Sequence, residues 1–168
     1  MVLSKPELIG TAQLEIHVLL HLISKLEPQM LDYRPTPKQR STIELLKYLS
    51  IMGPGLIRAA KAGTFDPAVW TAAQQEAEAR NFEQTVAAIA AQKDQYAQLL
   101  GDIADADFRG EIEMFGQRQT RGAFINRMVL GGHAAYRMQL FLYLKACGRA
   151  DLSTMNLWAG VDAPAAAV

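Results

Sequence analysis

Apolar residues recur at three- and four-residue spacing along four stretches of the chain, and each stretch reads as an amphipathic helix. The first runs from about Pro6 to Leu26, where Leu8, Ala12, Ile16, Leu19, Ile23 and Leu26 form one stripe. Pro6 suits a first helical turn, and Pro28 lies just past the end. Leu14, Val18 and Leu22 widen this stripe into a face broad enough for a subunit contact. In the link from Leu31 to Pro37, Pro35 and Pro37 push the residues before them toward extended backbone. Ser41 and Glu44 then make a capping box that opens a second helix, with Leu45, Leu49, Met52 and Leu56 on its core face. Gly53-Pro54-Gly55 is expected to kink or interrupt that helix.

Ala68 to Leu100 is rich in Ala, Gln and Glu and predicts one long helix, with Phe82, Val86, Ile89, Tyr96 and Leu100 as its stripe. Gly101 is placed to cap it. Asp102 to Gln119 is irregular and reads as a connection, with a short extended pair within it. The last helix spans about Thr120 to Cys147, between a Thr120 N-cap and a Gly148 C-cap. Phe124, Met128, Gly132, Ala135, Gln139 and Leu142 share its expected inner face. The pattern predicts an all-α, up-down-type four-helix bundle with one long crossover, as a single domain over residues 1–162. Residues 163–168 read as a disordered tail, and Trp158 as docked on the bundle.

Half of the 168 residues are hydrophobic, enough to build a core without staples. Seventeen basic residues balance seventeen acidic ones, with no clustered basic face of the kind that binds nucleic acid. No apolar run is long enough to span a membrane, and no secretory signal opens the chain, so a cytoplasmic location is expected. The lone cysteine, Cys147, forms no internal disulfide and reads as a small hydrophobe at a helix end.

The candidate chemistry is sparse. Three histidines are present, His17, His21 and His133. His17 and His21 are four apart and share a helix face, but that face lies opposite the centre of the apolar stripe. A surface or subunit contact is therefore expected there rather than a metal site. His133 follows Gly131-Gly132, a costly pair inside a helix, which predicts a close helix contact or a small pocket.

Three stretches together resemble the DinB-like superfamily of helical bundles. They are Leu31-Asp32-Tyr33-Arg34-Pro35-Thr36-Pro37, Glu44-Leu45-Leu46-Lys47-Tyr48-Leu49, and Tyr136-Arg137-Met138-Gln139-Leu140 leading to Tyr143-Leu144 and Gly148. The resemblance implies a four-helix bundle, and either metal-dependent hydrolysis or thiol-dependent transfer. It also implies a divalent ion, nickel or zinc, held by three histidines. Their places fall on Tyr48, Gly132 and Tyr136, and none of these is a histidine. Phenols are poor ligands near neutral pH. The expectation is thus a protein without a metal cofactor. It would bind a small molecule or a partner in a relined cavity, with Tyr48, Gly132, His133, Tyr136, Arg137 and Gln139 as pocket candidates. His133, Arg137 and Gln139 are the expected partners of the tyrosine hydroxyls, and Gly132 is expected to make room for a tyrosine ring. One alternative is a relocated metal site drawing on His17, His21 and His133. Another is a non-catalytic homodimer built on the first helix.

Overall fold

A computed structural model describes residues 3–163. Ser4 caps helix α1 (Lys5–Ile23), with Glu7 completing a capping box. α1 buries Leu8, Ala12, Ile16, Leu19 and Ile23 as the periodicity predicts. A short turn and the proline-rich link lead to α2 (Thr42–Ala62), opened by the Ser41–Glu44 box. Arg34 pairs with the capping Glu44, 2.9 Å away, and so ties the link to the helix start.

α2 does not break at Gly53-Pro54-Gly55; it remains helical from end to end. A proline there lacks the N–H that would bond Ser50's carbonyl, at a cost of about 3 kcal/mol. The helix persists because nearly its whole circumference is buried, from Leu45 through Ala60. It packs against α3, α4, α5 and α7.

The stretch expected as one long helix is three. α3 (Pro67–Ala79) starts at the Asp66 cap, whose carboxylate accepts from two backbone amides, and it buries only Ala77. The chain then turns at Arg80, and Asn81 with Gln84 opens a new capping box for α4 (Phe82–Ala90). α5 (Gln92–Gly101) follows, and it carries Tyr96 and Leu100 into the core against α1 and α2. The irregular connection contains the expected extended pair, an antiparallel hairpin of β1 (Glu111–Met114) and β2 (Gln117–Thr120), with Glu111 opposite Thr120.

Thr120 caps α6 (Arg121–Ile125), one turn of π-helix covers Asn126–Leu130, and α7 (Gly131–Ala146) completes the last long element. The π turn takes one more residue per turn than an α-helix, which rotates every later residue of the element by roughly 100°. The expected inner face is therefore wrong beyond it. Ala135 and Leu142 are exposed, while Val129, His133, Arg137, Leu140 and Leu144 point inward.

A final short helix, α8 (Thr154–Trp158), folds back over α1 and α7. It covers much of the face expected to make a subunit contact: Val18 and Leu22 are fully buried within the chain, and only Leu14 remains exposed. Trp158 reaches the bundle through one face of its ring but stays largely open, 63% exposed. No described helix is long and apolar enough to cross a membrane. Of the tail expected to be disordered, residues 164–168 lie outside the described residues.

Candidate functional site

α7 presents two neighbouring rows of side chains. Gly132 and Tyr136 form one and face α2, while His133 and Arg137 form the other and point into the bundle. Each row has its own surroundings, so the six expected pocket residues do not make one site.

On the first row, Tyr136 meets Tyr48 of α2 edge to face, with ring centroids 5.1 Å apart. Trp70 of α3 adds a second edge contact to Tyr48 at 6.2 Å, and the Arg40 guanidinium lies 4.1 Å from the Tyr48 ring centre. The Tyr48 phenol is pushed up to about 12, first by burial and then by the adjoining Tyr136. Next to these rings Gly132 meets Met52, whose sulfur would stand 2.8 Å from a Cβ at that position. The room left by Gly132 is thus taken by Met52 and not by a tyrosine ring. A cleft of about 490 Å³ opens beside Tyr48, walled by Arg40, Lys47, Ile51, Gln74 and Glu78.

The second row is buried and polar. Gln92 donates its amide to the Leu49 carbonyl at 2.8 Å, which turns its oxygen toward Tyr96. The Tyr96 hydroxyl donates to that oxygen at 2.7 Å, and His133 Nε2 lies 2.5 Å from the same hydroxyl. With the phenol proton committed to Gln92, His133 supplies Nε2–H, which leaves Nδ1 bare. Burial, with Arg137's charge adding, drops His133 to about 4, so the ring is neutral at pH 7. This chain of bonds crosses directly over the α2 backbone at Gly53, where a Cβ would stand 1.7 Å from the Tyr96 oxygen.

Arg137 Nη1 lies 3.1 Å from Glu15 Oε2 of α1. Burial raises the Glu15 carboxyl, and Arg137 pulls it back. Trp158 screens the pair from outside, its ring centre 5.3 Å from the guanidinium. Gln139, the remaining candidate, donates to the Tyr143 hydroxyl at 2.5 Å, and that hydroxyl donates to the Arg40 carbonyl at 2.9 Å. The tyrosine hydroxyls therefore do not find the partners expected for them. His133 serves Tyr96, Arg137 serves Glu15, and Gln139 serves Tyr143.

Trp70, Arg40, Gln92 and Tyr96 carry these two clusters and were not among the expected site residues. Tyr96 was readable only as an apolar stripe position. The one sequence signal for its buried contact was the unexplained glycine before Pro54.

A divalent ion does not suit either row. The first offers two phenols, one of them pushed to about 12, a glycine and a thioether beside an arginine. In the second, His133 is committed to Tyr96 through Nε2 and adjoins the Arg137 cation. His17 and His21 lie elsewhere, beside the C-terminal segment, with His17 exposed and His21 half-buried. His21 Nε2 is 3.0 Å from Asn156 Nδ2, and a Cβ on Gly160 would come within 3.1 Å of the His17 ring nitrogen. Among the described residues, no three His, Cys, Asp or Glu side chains are grouped to hold a metal ion.

No family model matches the sequence, and no curated protein matches it. Among solved structures, a DinB-like protein of Bacillus subtilis, YjoA, superposes with a TM-score of 0.66, covering 87% of this chain and 95% of its own. The fold is DinB-like. Sequence identity over that superposition is 16%, so the likeness extends to the course of the helices and not to the side chains. In this DinB-like fold α2 and α7 bring Tyr48, Gly132 and Tyr136 to one contact. Those are the three positions at which the family resemblance expects metal-binding histidines.

Proposed function

We propose that this DinB-like chain works without a metal ion and binds a small organic molecule beside Tyr48 and Tyr136. The observation that carries the reading is the edge-to-face pair of Tyr48 and Tyr136 at 5.1 Å, standing where histidine ligands are expected, with Tyr48 lining a cleft of about 490 Å³. Aromatic edges, a guanidinium face and an apolar floor at Ile51 suit a flat organic ligand better than an ion.

Two measurements test it together. Elemental analysis of protein soaked in nickel and zinc and then desalted is expected to give metal far below one ion per chain. Protein-observed NMR during titration with a set of flat aromatic fragments is expected to give hits that shift the Tyr48 ring protons, and binding of those hits is expected to be lost in Tyr48→Ala. Near-stoichiometric metal that is lost in His133→Ala would replace the proposal with a relocated metal site. Fragments that bind Tyr48→Ala as well as the parent would remove the cleft from the proposal.

A further inference from the structure

Ser50, Pro54 and Arg58 stand four apart on one row of α2, on the other side of α3 from the Tyr48 cleft. They line a groove of about 520 Å³ between α2 and α3, reaching Ala88 near the end of α4 and Gln95 of α5. Its wall is Trp70, with Phe65 5.5 Å away, centroid to centroid. Trp70 sits hard against α2 because Gly55 has no side chain; a Cβ there would be 2.9 Å from the indole.

Most charges in the groove are already committed. Arg80 bonds the Ser50 hydroxyl at 2.9 Å and pairs with Glu76 at 2.7 Å. Asp66 caps α3 with its carboxylate. Arg58 is exposed and pairs with no carboxylate among the described residues. Pro54 is the costly residue of the row. Gly53 is accounted for by Tyr96 and Gly55 by Trp70, while Pro54 between them is buried and lines the groove. What Pro54 does is withhold the N–H that would otherwise bond the Ser50 carbonyl, at the groove floor. That carbonyl points along the axis toward Pro54, and Arg58 follows one turn later, about 6 Å on.

We propose that this groove is a second binding site, for a small aromatic carboxylic acid that carries a hydroxyl or N–H donor at its far end. The carboxylate meets Arg58, the ring lies against Trp70, and the donor reaches the Ser50 carbonyl that Pro54 leaves open. An acid is favoured over a neutral ligand because a guanidinium binds a carboxylate through two parallel hydrogen bonds.

Isothermal titration of the full chain with 4-hydroxyphenylacetate tests the site. One saturable site is expected, with Trp70 fluorescence changing in a Trp158→Phe background. The uncharged 4-hydroxyphenylacetamide and the variant Arg58→Gln should each weaken binding roughly ten- to a hundredfold, the range of a charge-assisted hydrogen bond. Pro54→Ala returns an N–H to Ser50, so it should raise Tm and weaken the acid severalfold. 4-Methoxyphenylacetate, which has no donor, should bind as weakly to the parent chain. No saturable heat with the acid, equal affinity for acid and amide, or an unchanged Arg58→Gln each overturns the proposal. A Pro54→Ala variant that is more stable yet binds the acid as before removes the role given to the Ser50 carbonyl.

Discussion

The Tyr96 hydroxyl and His133 Nε2 meet 2.5 Å apart, directly above the Cα of Gly53, so one hydrogen bond from α5 to α7 runs through the place of a missing side chain on α2. Gly53→Ala should gain about 1 kcal/mol of helix propensity and still lose overall. The added methyl collides with a tyrosine that is fully buried and has nowhere to go. A net loss of roughly 2 to 3 kcal/mol is expected by urea denaturation.

Gly132→Ala provides the contrast. Its Cβ would meet the sulfur end of Met52, a flexible chain that rotates away at little cost. Stability within about 1 kcal/mol of the parent is expected, as propensity gain offsets repacking. Equal losses in the two glycine variants would contradict the difference drawn between a rigid and a yielding neighbour.

His133 makes stability depend on pH. Its folded value, about 4, lies below the ordinary 6.5, so below pH 6.5 the unfolded chain takes up a proton that the folded chain refuses. Its contribution is full above pH 6.5 and falls away as pH drops toward 4, by roughly 3 kcal/mol in all. Glu15 acts in the opposite sense, since its raised carboxyl favours the folded state at acid pH and loses that contribution as pH rises. Comparing the parent with His133→Gln at pH 7.5 and pH 5 isolates the histidine. The difference in stability between the two proteins should change by well over 1 kcal/mol across that interval, and a constant difference would show the ring to be solvated.

Arg137→Met should cost about 3 to 5 kcal/mol, because it strands the Glu15 carboxylate in a partly buried place. The double variant Glu15→Leu with Arg137→Met should recover most of that loss. The loss relative to the parent should also be smaller at pH 5 than at pH 7.5, since removing the cation raises Glu15 further. Chemical denaturation of the three proteins at both pH values checks each point.

Tyr136→Ala removes a half-buried ring, so a loss of roughly 1 to 2 kcal/mol is expected. The Tyr48 phenol should then titrate nearer to 10, having lost burial and its neighbour together. Ultraviolet titration follows this directly. A Tyr48 phenol that stays near 12 would assign the shift to burial by its other neighbours, held against the lowering pull of Arg40.

Much of the fold was readable where side chains act on nearby backbone. Ser41 with Glu44, Thr120 and Gly148 mark helix ends through local chemistry, and all three do so in the structure. The break at Arg80 was also signalled, by Asn81 and Gln84, but the helix-forming run around them concealed it. The π turn had no such signal. Nothing in Asn126-Arg127-Met128-Val129-Leu130 demands an extra residue, and the turn is set by the elements against which α6 and α7 pack. For that reason the inner face of α7 was misplaced by one residue. The Tyr48–Tyr136 contact was nonetheless reached, because both residues lie on segments that the resemblance aligned directly. Gly-Pro-Gly was legible as an oddity but not as a device, since its neighbours Tyr96 and Trp70 come from distant parts of the chain.

The π turn also makes the interior of this protein unusually sensitive to length. Remove one residue between Asn126 and Leu130, with α6 held in place, and each later side chain inherits its predecessor's direction. Ala134 and Met138 would then point inward in place of His133 and Arg137. His133 and Arg137 would move opposite Met52 and Tyr48, beside the cleft. A loss of three nucleotides would exchange a polar interior for an apolar one, and set an imidazole and a guanidinium against Met52 and Tyr48, without a single substitution.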